Sequence, residues 1–163
     1  VKLNKQELQE IAKETLEQAW VFRATESDVM ATWFLIAEDE VRIVGTPFDG
    51  DGSKAAAAEV IAAEVRDMAP VDSVLFVSDV WMMEIPRGTT NIRPPSQSPD
   101  ACEALIVQCW SRRRSDDFAL ARRYRQNDQG ELEKLDPNDE YMPGIDTGIF
   151  RPVVQAIRER SST

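Results

Sequence analysis

Two segments of this chain are apolar on both faces, and they narrow the available folds more than any other feature. Residues 29–37 read VMATWFLIA and residues 72–85 read DSVLFVSDVWMMEI. A strand with one wet face alternates apolar and polar residues, whereas an unbroken apolar run rich in β-branched and aromatic side chains leaves no side for solvent. The sequence therefore predicts two inner strands, the second in the middle of the sheet, with Trp33, Leu35, Val74, Phe76 and Val77 buried. At 163 residues the chain suits one domain, 1–163. A chain of this size buries roughly 70% of the surface its unfolded form exposes, so its core needs no disulfide or metal staple.

Helical spacing supplies the covering layers. Asn4 stands three residues ahead of Glu7 as a capping box, and Leu8, Ile11, Ala12, Leu16 and Ala19 recur at helical intervals, predicting a helix over 5–19. Lys13, Glu14 and Glu17 fall on its solvated side. After a polar break at Glu38-Asp39-Glu40, residues 41–46 complete a hairpin with the first strand. The turn-forming PFDGDGS leads to a second helix over 54–68, with Ala58, Ile61, Val65 and Met68 inward and Ala69-Pro70 as its stop. Pro152 opens a last helix with Val153, Val154, Ile157 and Arg158. The Pro-rich 86–100 stretch reads as a long exposed loop, and 136–150 as an irregular segment.

Between those two stretches lies a second hairpin. With Ser115-Asp116 as a two-residue turn, Arg114 faces Asp117 and Arg113 faces Phe118. Leu105, Val107, Cys109, Phe118, Leu120 and Tyr124 then share the core face, because facing residues point the same way. The opposite face sets Trp110 among Arg112, Arg123 and Arg125. A further turn at 127–130 leads to a short strand near 132–135.

The resulting order, α-β-β-α-β-β-β-(β)-α, defines an α+β single domain with a mixed, mostly antiparallel sheet of five to six strands and helices on one or both faces. That order resembles the profilin-like topology of roadblock domains and, more distantly, the acidic chaperones of bacterial secretion systems. The segments SDVWMMEIP and PSQSPDACEALIV resemble parts of uncharacterised bacterial proteins, over about residues 28–135. No activity is attached to that group, so the resemblance implies no reaction.

Composition removes much familiar chemistry. The absence of His excludes Ser/His/Asp and Cys/His triads and takes away the commonest metal ligand, and no cofactor is implied. A net charge of −10 opposes general affinity for nucleic acid and anionic membrane. No apolar run approaches the ~20 residues that span a bilayer, and the first residues lack the apolar core of a signal peptide. The expectation is cytoplasmic, with no membrane partner. The charge is uneven: residues 1–81 hold 7 basic and 16 acidic side chains, and residues 82–163 hold 12 and 13. Within 110–126, six Arg stand against Asp116 and Asp117.

Several short patterns invite chemistry and fall short of it. Asp49-Gly50-Asp51-Gly52-Ser53 begins like a calcium loop, but Lys54 stands where such a loop needs Gly and Val60 where it needs Glu, so a turn feeding the second helix is the simpler reading. Asp146-Thr147-Gly148 matches the aspartic-peptidase triplet, which requires a second copy across the site. Cys102 and Cys109, seven strand residues or ~23 Å apart, are out of disulfide reach and read as reduced and structural. Asp79 is the candidate buried carboxylate, held by hydrogen bonds or raised in pKa, and with Glu84 or Asp100 it could hold a divalent metal. Trp110 with Arg112, Arg123 and Arg125 is the candidate binding face, offering cation–π contacts and stacking; association through it should weaken in salt.

Three functions follow. The leading expectation is a non-catalytic, cytosolic protein-interaction module that self-associates as a homodimer or meets a protein partner. The alternative is a carboxylate-based, metal-dependent hydrolase using Asp79. The third is an anion or single-stranded nucleic-acid binder using the Arg-rich hairpin.

Overall fold

Reciprocal hydrogen bonds start the first helix: the Glu7 N–H donates to Asn4 Oδ1 at 2.8 Å, and the Asn4 N–H donates to Glu7 Oε1 at 3.2 Å. The computed structural model describes residues 3–25, 28–46, 51–68, 70–82, 101–146 and 148–159. Its elements are α1 (Lys5–Thr25), β1 (Thr32–Ala37), β2 (Val41–Gly45), α2 (Asp51–Asp67), β3 (Val71–Met82), β4 (Cys102–Ser111), β5 (Phe118–Gln126), β6 (Leu132–Lys134), β7 (Glu140–Met142) and α3 (Arg151–Glu159). The fold is an α+β single domain around a seven-stranded antiparallel sheet, ordered β2-β1-β3-β4-β5-β6, with β7 also paired to β5.

The doubly apolar runs have the predicted consequence. β1 and β3 are inner strands, with Trp33, Leu35, Val74, Phe76 and Val77 buried. On one face Trp33, Val74, Phe76 and Trp110 pack with Ile61 and Val65 of α2 and with Val153 and Ile157 of α3. The Trp33 and Phe76 rings stack there with centroids 4.0 Å apart. On the other face Leu75, Val77, Leu105, Val107 and Leu120 pack under Leu8, Ala12, Leu16 and Ala19 of α1. The sheet is thus filled on both sides, α1 lying over β3, β4 and β5 rather than over β1 and β2.

Several features depart from the sequence reading, β1 among them, which starts at Thr32 and not at residue 29. α1 continues six residues beyond Ala19 to Thr25, and α2 opens at Asp51 instead of residue 54. The 136–150 segment contains β7 and a 3-10 helix, Gly148–Phe150, where irregular chain is expected, which raises the sheet to seven strands. The β4–β5 register differs by four residues: Cys109 faces Phe118 and Glu103 faces Tyr124. Arg113 and Arg114 are therefore not in the ladder. The connection is a longer loop with a 3-10 helix at Arg114–Asp116, closed by the Ser111 N–H donating to Asp117 Oδ1 at 3.0 Å and by Arg158 of α3 pairing with Asp117. A Ser-Asp dipeptide lacks the positive φ that a tight hairpin turn requires, and this side-chain closure replaces it. Because a slip of four is even, the core face is the predicted one.

Residues 47–50 and 83–100 lie outside the described residues, and with them the exposed 86–100 loop, Glu84, Asp100 and the first two residues of the calcium-like stretch, whose last three open α2. Thr147 of the peptidase-like triplet is also outside them; Asp146 lies 3.4 Å from Arg114 and 3.8 Å from Arg158. Both cysteines are free, Cys109 in the core and Cys102 at the start of β4, and burial pushes both thiols up.

Candidate functional site

The sequence nominates the Arg-rich hairpin and Asp79. For the hairpin the structure corrects the expected placement. Trp110 is 0% exposed. Its indole N–H donates to Ile145 O at 2.8 Å, and its ring lies 5.1 Å from Phe150 and 6.2 Å from Trp33. Chain between β7 and α3 covers the face that the sequence leaves bare, the Ile145 N–H donating back to Gln108 at 3.3 Å. The arginines are dispersed. Arg112 donates to Val71 O at 3.0 Å, Arg123 pairs with Asp136 at 2.9 Å, and Arg125 is exposed beside Glu133 in the β5–β6 ladder. Trp110, Arg112, Arg123 and Arg125 do not meet around one open surface.

A different arginine organises the opposite face. Arg122, facing Leu105 in the ladder, lies under α1 with only 4% exposure. Asp139 accepts from its Nε at 2.8 Å and its Nη2 at 2.9 Å, Glu17 of α1 accepts a further bond, and the guanidinium carbon stands 5.2 Å from the Trp20 ring. Hydrogen bonding to Asp139 leads the causes that hold its proton more firmly than usual, and hydrogen bonding to Arg122 in turn lowers Glu17. Nη1 has no partner among the described residues.

Asp79 occupies the point where β3 leaves the core, on the same side as Val77 and Trp81. Tyr124 of β5 donates to Asp79 Oδ2 at 2.7 Å, and Arg23 of α1 donates to Asp79 Oδ2 at 3.3 Å and to the Tyr124 hydroxyl at 3.2 Å. Glu103 of β4 joins at 3.6 Å from Arg23. Burial raises the Asp79 carboxyl from its ordinary value, opposed by the tyrosine hydrogen bond and supported by the charge of Glu103. Burial first, then the Asp79 hydrogen bond, raises the Tyr124 hydroxyl well above its ordinary value of 10.0. The tyrosine therefore keeps its proton and spends it on Asp79. The cluster ties α1, β3, β4 and β5 together, and its polar atoms serve one another.

Two open depressions flank Glu103. One, about 510 Å³, runs past Asp28, Met30, Asp79 and Trp81; the other, about 520 Å³, past Trp81, Cys102, Tyr124 and Gln126. Among the described residues no three His, Cys, Asp or Glu converge on a position that could hold a metal. Glu84 and Asp100, the partners expected for Asp79 in such a site, lie outside them.

The sequence reading misses the open edge of the sheet. β2 ends the strand order, and on the α1 side Val41 and Ile43 are 57% and 66% exposed, because α1 does not extend over them. Met30, also exposed, sits over Gly45: a Cβ there would meet its sulfur at 2.9 Å. The alternation of Val41 and Ile43 with Arg42 marks an apolar face on this strand, but nothing local in the sequence marks β2 as the last one.

No family model, curated protein or solved structure matches the chain.

Proposed function

We propose that this chain is a non-catalytic cytosolic protein-interaction module that self-associates. The observation that carries the reading is the β2 edge, where strand backbone with no further partner among the described residues coincides with exposed Val41 and Ile43. Open strand edges bearing apolar side chains are templates for another chain unless charge, proline or a covering element blocks them. The one charge on β2, Arg42, is drawn to the α2 side by Glu40 and Glu64, at 3.2 and 2.9 Å, and leaves the α1 side apolar. The hydrogen bonding around Asp79 fits the same reading, since its polar atoms are used to join secondary elements. No helix among the described residues is long and apolar enough to cross a membrane.

Sedimentation equilibrium on the full chain, from about micromolar to about millimolar, is the test. A mass that rises with concentration toward an integral multiple supports self-association. The mass of one chain throughout that range overturns it.

A further inference from the structure

The ladder of the first hairpin determines how the backbone of β2 is oriented. The Ala37 N–H donates to Glu40 O at 2.9 Å, and the Thr46 N–H donates to Ala31 O at 2.8 Å. Hydrogen-bonded and non-hydrogen-bonded pairs alternate along an antiparallel ladder. With Leu35 facing Arg42 and Trp33 facing Val44, those two β2 residues therefore exchange their bonds with β1. The N–H and C=O groups of Val41, Ile43 and Gly45 point the other way, out of the sheet. Their side-chain positions share the α1 face, beside Phe34 and Ile36.

We propose that β2 pairs with β2 of a second copy, antiparallel about a two-fold axis through Ile43, so that two sheets become one. This rests on the self-association proposed above and names its surface and register.

The edge is complementary to itself in that register. Ile43 meets Ile43 of the second copy, and Val41 meets Gly45 of the second copy, so the three outward-facing residues on each strand are all paired. Gly45 brings no side chain, and the Met30 sulfur lies over it. The Val41 side chain of the second copy therefore comes to rest beside that thioether, and the contact occurs twice by symmetry.

Charge selects the same register. A shift of one step toward the start of β2 would set Arg42 opposite Arg42 of the second copy and pair only three residues. The register through Ile43 pairs all of β2 and sets Arg42 opposite Val44. Arg42 is already neutralised within its own chain by Glu40 and Glu64. The acidic turn Glu38-Asp39-Glu40 of each copy sits at opposite ends of the interface, Glu40 facing Thr46 of the second copy.

Size sets the strength. Five residues of strand make a footprint about 17 Å long and, across both faces, about 10 Å tall, well below the about 800 Å² per partner of a standard stable interface. The dimer is therefore reversible. Each copy carries a net charge of −10, so long-range repulsion opposes encounter. Salt that shortens the Debye length below about 8 Å strengthens the pairing. An Arg-face interaction with an acidic surface would show the opposite dependence.

The experiment compares the full wild-type chain with Ile43→Lys by sedimentation equilibrium. It adds oxidative cross-linking of Ile43→Cys and Val41→Cys, each in a Cys102→Ser background. Hydrogen-bonded antiparallel pairs hold Cα atoms about 5.5 Å apart, within disulfide range, whereas Val41 and its own symmetry mate stand four residues out of register. The expected result is a wild-type dimer that tightens with salt, at least tenfold weaker association for Ile43→Lys with unchanged melting temperature, and cross-linking at position 43 but not 41. A wild-type monomer at every concentration overturns both this inference and the reading beneath it. A dimer that survives Ile43→Lys leaves self-association standing and overturns the β2 interface. Cross-linking at 41 in preference to 43 overturns the register.

Discussion

Trp110→Phe separates a buried structural indole from an exposed binding one. Two losses are expected. The indole N–H disappears, leaving Ile145 O without the 2.8 Å donor it has in the fold. Ile145 is half exposed, so water takes over its carbonyl and only the net worth of the hydrogen bond, about 0.5–1.5 kcal/mol, is lost. Phenylalanine also fills less of the space between Trp33 and Phe150, and losing roughly two buried carbons costs about 1.5 kcal/mol before any cavity penalty. The sum is about 2–3 kcal/mol. In a domain of this size each kcal/mol moves the melting temperature by about 2–4 °C, so the melting temperature followed by circular dichroism should fall by roughly 4–12 °C. A melting temperature within a degree or two of wild type would refute the packing argument and return Trp110 to the surface role suggested by its arginine neighbours in sequence.

Further outcomes test other parts of the molecule. Arg122→Ala should destabilise by about 2–4 kcal/mol in urea titration; the upper range for broken buried pairs is discounted because Glu17 is itself largely exposed. Arg122→Lys should recover only part of that loss, since an ammonium cannot reproduce the two bonds to Asp139. Asp79→Asn tests the titration sign. A carboxyl raised in the folded state contributes stability that is complete below its unfolded value, near 3.8, and is lost as pH rises through the folded value. The stability of Asp79→Asn relative to wild type should therefore improve as pH rises from that value to neutrality, and a flat or opposite trend would contradict the burial argument. Asn4→Ala removes half of the capping box and should cost about 0.5–2 kcal/mol by chemical denaturation.

What the sequence made legible, and what it hid, follows from the range of the forces involved. The two apolar runs announced a sheet covered on both faces because burial is a property of each residue in turn. The helix stripe Leu8, Ala12, Leu16, Ala19 continues at the same spacing to Arg23, but a charged residue on an apolar stripe reads as its end. Only the structure shows Asp79 and Tyr124 waiting there. The hairpin faces were legible and the register was not: side-chain parity survives any even slip, while the loop length depends on Asp117 being held by Ser111 and Arg158, the latter 41 residues away in sequence. Trp110 failed for a similar reason, because the chain that roofs it, around Ile145, is polar and carries no periodic signal. The edge at β2 was invisible because no local pattern states which strand will be last.

The opposite border of the sheet bears on the stoichiometry of any assembly. β5 is bordered by β7 along Ala119–Ala121 and by β6 along Tyr124–Gln126, so its outer backbone is occupied by the chain's own short ribbons. The Asn127–Gly130 turn that sends the chain back along β5 requires a left-handed glycine, and Gly130 sits at φ 79°. The receptive border is β2, whereas the opposite border is broken into two strands of only three residues each, too short to template a further chain. Joining through β2 consumes the receptive border of both chains at once, so growth ends at two, and a protein with an open apolar strand can reach high concentration without propagating into fibres.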